Sequence, residues 1–173
     1  MAQWHIAQIN VGHLLHPLDD PRMAGFTGQL DTINALADAA PGFVWRLQGD
    51  SGNATGIQVA DDPALIVNLS VWEGVEPLFQ FVYRTAHQGV MAGRRQWFAR
   101  PVQPYQALWW VPAGHRPTPE EGLERLERLR REGPGPSAFG FKTGHPPPDN
   151  HPLPVDPAAP AGPEPAPRRI GRR

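Results

Sequence analysis

"ALIVNLSVWEGVEPLFQFVYRTAH", residues 64–87, carries a strand, a turn and the start of a helix in one run. From Ala64 to Trp72 the chain is almost wholly aliphatic, with Asn68 and Ser70 set in at period two, so both polar side chains fall on the same side of one strand. Gly74 interrupts the run, and Glu76-Pro77 then opens a helix, because proline lacks the amide that would go unpaired in a first helical turn. At 3.6 residues per turn the apolar arc of that helix centres on Phe79, Ala86, Val90 and Trp97, with Tyr83 beside it and His87 on its shoulder. The pattern predicts a helix running toward Trp97, with Gly89 and Gly93 as its weak points, since a helical glycine costs about 1 kcal/mol.

The same reading extends to both sides. "WHIAQINV" near the start alternates polar and apolar residues as a two-faced strand does. Asp20-Pro21 is a helix start, followed by Met23, Phe26, Leu30, Ile33, Leu36 and Ala37 at helical steps and closed by Pro41-Gly42. "FVWRLQ" reads as a second strand, "GDSGNATG" as a loop and "YQALWWVP" as a last strand. Thr118-Pro119-Glu120-Glu121 is a capping box opening a helix with Leu123, Leu126 and Leu129, which Gly133-Pro134 ends. The order βαββαβ plus one extra C-terminal helix is an α+β, ferredoxin-like arrangement with helices on one face of an antiparallel sheet. Its other face, with Trp45 and Trp109 among the candidates, needs a cover, and a homodimer joined sheet to sheet is the simplest one.

Composition limits the chemistry. The 173 residues include no cysteine, which excludes disulfides, thiolate nucleophiles and cysteine-held metals. A formal charge of −1 supplies no drive toward nucleic acid or an anionic membrane, and no stretch has the apolar length of a signal peptide or a membrane span. A cytoplasmic protein is expected. Many of the 22 prolines fall after Gly133, so residues 1–142 are expected to form the domain and 143–173 a proline-rich disordered tail.

At "LDDPRMAGF", "PGFVWRLQ", "VNLSVWEGVEPLFQFVYRTAH", "RRQWF" and "WWVPAGHRPTPEEG" the chain resembles the domain-of-unknown-function family numbered 3291, over about residues 3 to 145. That family is similar to the dimeric α+β barrel proteins, among them antibiotic-biosynthesis monooxygenases, haem-degrading oxygenases, muconolactone isomerases and polyketide cyclases. The resemblance implies a dimeric barrel and an oxygenase- or cyclase-like activity on a small molecule; it does not choose among chemistries, and because the chain has no strong catalytic motif a non-catalytic ligand-binding dimer is the alternative.

The candidate site lies under the helix of residues 76–97. His87 is the candidate acid/base, with Tyr83 one turn before it placed to fix its tautomer; the resemblance also allows His87 as an axial haem ligand, and a histidine bonded only to backbone is the bland alternative. Arg46 or Arg94 would stabilise an anion. Gln8 with Asn10, Arg46 with Gln48 and Asn68 with Ser70 recur at period two, and if these pairs converge they orient a ligand in a pocket walled by Trp72, Trp109 or Trp110. Either no cofactor or haem is implied, and no metal site: His13 and His16 have ligand-like spacing but no clear third partner. "GDSGN" is a loop rather than a protease motif, the Asp-Asp-Pro runs are turn formers, and "ERLERLRR" is a solvated helix face.

Overall fold

A computed structural model describes residues 3–49, 52, 54–57, 61–84 and 93–148. Four strands, β1 (Trp4–His13), β2 (Phe43–Arg46), β3 (Leu65–Trp72) and β4 (Gln106–Pro112), form one antiparallel sheet in the order β2-β3-β1-β4. β1 and β3 are therefore central, and most of their middle residues are buried on both sides of the sheet. Between them run α1 (Ala24–Thr27), α2 (Leu30–Asp38) and α3 (Val75–Arg84); α4 (Pro119–Glu132) follows β4. No helix among the described residues is long and apolar enough to cross a membrane.

The helix expected after Asp20 comes in pieces. Asp20 caps it as anticipated, accepting from the Arg22 amide at 2.9 Å, but the first turn, Pro21–Met23, is 3₁₀, and the chain breaks again at Gly28 before α2. The Thr27 hydroxyl reaches back to the Met23 carbonyl at 3.3 Å, and with a glycine next in line the helix has little reason to continue. The helix expected to pass through His87 is described to Arg84, and a further helical turn occupies 93–97; His87, Gly89 and Val90 lie outside the described residues.

Register decides what each sheet face carries. Asn10 sits opposite Asn68 on one side and Gln106 on the other, Gln8 opposite Ser70 and Leu108, and Ile6 opposite Trp72 and Trp110. These side chains look toward α1, α2 and α3. The alternate set, including Ala7, Ile9, Val11, Val67, Leu69, Val71 and Trp109, looks the other way and is buried against Leu126 and Leu129 of α4. The chain's own last helix thus packs on the face for which a second sheet was expected as cover. Gly122 makes this possible: a β-carbon there would stand 2.8 Å from Ile9 Cδ1, so α4 lies almost on the strand. The capping box is half realised, because Thr118 Oγ1 accepts the Glu121 amide at 3.2 Å while the Glu121 carboxylate turns to Trp109 Nε1 at 3.0 Å and His115 Nε2 at 2.8 Å.

Beyond β4, Phe139 exchanges two backbone hydrogen bonds with Leu108, covering that sheet edge. Trp110 Nε1 donates to the His145 carbonyl at 2.8 Å, so packed chain continues at least three residues beyond 142, where the domain was expected to end.

Candidate functional site

The helices do not cover the whole of their sheet face. Near the C-terminal end of β1 a cavity of about 150 Å³ opens, floored by the sheet and walled by α2, the end of α3 and the turn at 93–97. Across the floor, three adjacent strands present a row of carboxamides, Asn68, Asn10 and Gln106. Neighbouring strands are about 4.8 Å apart, so the row spans roughly 10 Å. Asn68 is exposed although it sits mid-strand in a central strand, because the space above it is cavity rather than helix.

Arg46, from β2, also lines the cavity, so polar side chains from all four strands share one face. Its guanidinium is already engaged: Nε and Nη2 fork onto the Asp38 carboxylate at 2.8 and 3.1 Å, and Nη1 donates to the Gly52 carbonyl at 2.7 Å. This pins α2 and the loop after β2 to the sheet edge. Arg94 differs. Its Nη2 donates to the Val11 carbonyl at 3.0 Å, and its Cζ lies over the Tyr105 and Phe98 rings, 4.4 and 5.2 Å from their centroids. Its Nε is buried without a partner, and burial lowers its pKa because no carboxylate repays the lost hydration. Gly12 leaves room for this arrangement, since a β-carbon there would meet Phe98 Cδ1 at 2.6 Å and Arg94 Nη2 at 3.3 Å.

Tyr83 lines the rim. Its ring packs on Phe79 at 4.7 Å and Phe141 at 5.5 Å between centroids. Although the side chain is 43% exposed, partial burial, and secondarily the Tyr105 phenol, push its pKa upward, so at neutral pH it is a hydrogen-bond donor and not a base. His87 falls in the sequence between Tyr83 and Arg94, outside the described residues.

The three expected tryptophan walls stand elsewhere. Trp72 and Trp110 share the cavity's sheet face but flank Ile6, four residues and about 13 Å from Asn10 along the strand. Trp72 is buried between Phe43 and Phe81, its Nε1 bonded to Ser70 Oγ at 3.0 Å, and Trp110 anchors the segment at His145. Trp109 is on the far face. The tryptophan that does line the cavity is Trp97, packed with Met23 and Phe26. Of the polar pairs, Ser70 donates to Gln8 Oε1 at 3.1 Å beneath the helices, leaving Gln8 Nε2 buried and unpartnered, and Gln48 does not line the cavity. Gln106, the first residue of β4, and Tyr105 just before it were not among the residues expected from sequence; the pairing with β1 sets Gln106 opposite Asn10, and the Tyr105 carbonyl accepts the Val11 amide at 2.9 Å. Among the described residues, no group of three His, Cys, Asp or Glu side chains is arranged to hold a metal ion.

The profile of the family described as "Domain of unknown function (DUF3291)" matches residues 5–153. No curated protein matches the sequence. Solved structures of similar shape include NE2512, a protein of unknown function from Nitrosomonas europaea, at 12% identity over 69% of this chain and 98% of that one, with a TM-score of 0.42. SnoaB, a cofactor-independent oxygenase from Streptomyces nogalater, matches at 14% identity over 66% and 96%, TM-score 0.41. Rv0793 from Mycobacterium tuberculosis matches at 12% over 66% and 99%, TM-score 0.42.

Proposed function

Since the chain belongs to the DUF3291 family, whose description names no reaction, we propose its function from the cavity: a small-molecule enzyme of oxygenase-like or cyclase-like type, acting between the sheet and the helices α2 and α3. The observation that carries this is the convergence of Asn68, Asn10, Gln106 and Arg46 from four strands on one cavity whose helix-side walls are mostly apolar. A few fixed polar groups in an apolar hollow orient a bound organic molecule, whereas a merely structural sheet face would be filled by helix side chains.

In this reading a carbon acid binds with its oxygen functions along the carboxamide row. A base removes the acidic proton, and the electron pair remains as an enolate beside Arg94, the guanidinium that no described carboxylate pairs. The enolate then attacks dioxygen in an oxygenase or an internal carbonyl in a cyclase. His87 is the proposed base, and the neutral Tyr83 phenol is a donor to the substrate. All these groups come from one chain.

Mass and absorbance spectra of the purified protein, followed by oxygen-uptake and product assays on acidic phenols and 1,3-dicarbonyls, test the reading. Turnover that falls about 10²–10⁴-fold in His87→Ala, with the melting temperature kept, supports it. Unchanged kinetics in that variant removes His87 from the mechanism. No turnover and no bound organic molecule would remove the enzyme. A Soret band on haem addition that disappears in the same variant would instead assign His87 to iron.

A further inference from the structure

We infer that the cavity selects its ligand by charge, favouring a planar organic acid whose negative charge, whether carried in on a carboxylate or formed as the enolate, seats on Arg94. This deepens the proposed function and rests on the same cavity being the ligand site. The charge inventory carries the inference. Among the described residues that line the cavity there are two guanidinium groups and no carboxylate. Arg46 is neutralised by Asp38 at the cavity's edge through a two-point fork, and its third nitrogen is taken by Gly52. Among the described residues, Arg94 meets a backbone carbonyl and two aromatic rings and no carboxylate. Of the stretches outside the described residues, 85–92 ("TAHQGVMA"), between Arg84 and Gly93, and 58–60 contain no Asp or Glu; the loop that leads to Ala54 and Thr55 holds one acidic residue, Asp50, two positions before the Gly52 whose carbonyl accepts from Arg46.

An arginine left in this state is held for something. The Val11 bond and the Tyr105 ring fix its plane, so its position costs little further order when an anion arrives. A half-buried cation without a counter-ion is under-solvated, and an anion repays that deficit where a neutral isostere cannot. The floor then sets the shape. Asn68, Asn10 and Gln106 have no hydrogen bond from their side chains to other described residues, and each amide offers both donors and an acceptor. A flat molecule lying over the row satisfies several of them at once, with Trp97 and Phe26 packing its apolar part.

Calorimetric titration of the full chain with three isosteric probes tests this: 2-naphthoate, neutral 2-naphthamide and cationic 2-naphthylmethylammonium. The expected order of affinity is anion, then amide, then cation, with the anion ahead of the amide by about tenfold or more, the scale of one charge-assisted hydrogen bond. In Arg94→Gln that gap closes while binding of 2-naphthamide stays within about twofold, which distinguishes lost charge from a lost fold. Arg94→Lys keeps the order. Equal binding of anion and amide, an unchanged gap in Arg94→Gln, or no binding by any of the three overturns the inference. The proposed enzyme can fail separately: a protein that ranks the probes as expected yet turns over no substrate keeps the charge selection and loses the catalysis.

Discussion

Gly122 offers a test of sign. In a helix interior, alanine in place of glycine gains about 1 kcal/mol of stability through the unfolded chain and the helix itself. At this position the new carbon would stand 2.8 Å from Ile9 Cδ1 and 3.4 Å from Leu69 Cδ1, and both of those side chains are essentially without solvent contact. Ile9 is fully buried, so either α4 lifts from the sheet or the Ile9 Cδ1 end must move within the core. Overpacking of this kind costs about 1–3 kcal/mol. The net for Gly122→Ala is a loss of roughly 1 kcal/mol, which for a domain of this size lowers the melting temperature by about 2–4 °C. Gly122→Val, which adds two further carbons to the same contact, falls at the upper end of that cost, ~3 kcal/mol. Urea and thermal unfolding of the three proteins measure both values. If Gly122→Ala melts higher than the parent, Ile9 yields at that contact and the overpacking argument is refuted. Sedimentation of the same samples tests the homodimer separately.

The cavity and its rim give two more expectations. Gly12→Val places carbon where Phe98 Cδ1 and Arg94 Nη2 now lie, so it should abolish probe binding measured by calorimetry while unfolding remains cooperative; retained affinity would mean that the Gly12 end is not part of the ligand site. Tyr83 has a folded-state pKa raised above its unfolded value, so its contribution to stability is full below the unfolded pKa of about 10 and is lost as pH rises through the folded pKa. Unfolding curves should therefore weaken on the alkaline side, and Tyr83→Phe should remove part of that slope; an unaltered slope in the variant would show that the phenol is not sheltered.

The comparison of sequence and structure divides along a physical line. Local signals were legible because their causes act within a few residues: Asp20 and Pro21 start a helix, Thr118 caps another, Gly133 closes it, and the apolar run 65–72 makes a strand wherever it is placed. The period-two polar pairs also declared themselves, since alternation is a property of one strand. What alternation cannot say is which strand lies beside which and which face looks inward. Gln106 joins Asn10 and Asn68 only through the register of three strands, and Trp72 and Trp110 miss the cavity because that register sets them at Ile6. The cover of the far sheet face likewise depended on where α4 comes to rest, and one glycine facing Ile9 permits that contact. Sequence alone thus determined the elements, their order and the polar residues worth watching. Tertiary structure decided which of them meet, because register and helix docking are settled by long-range packing of surfaces that no short window contains.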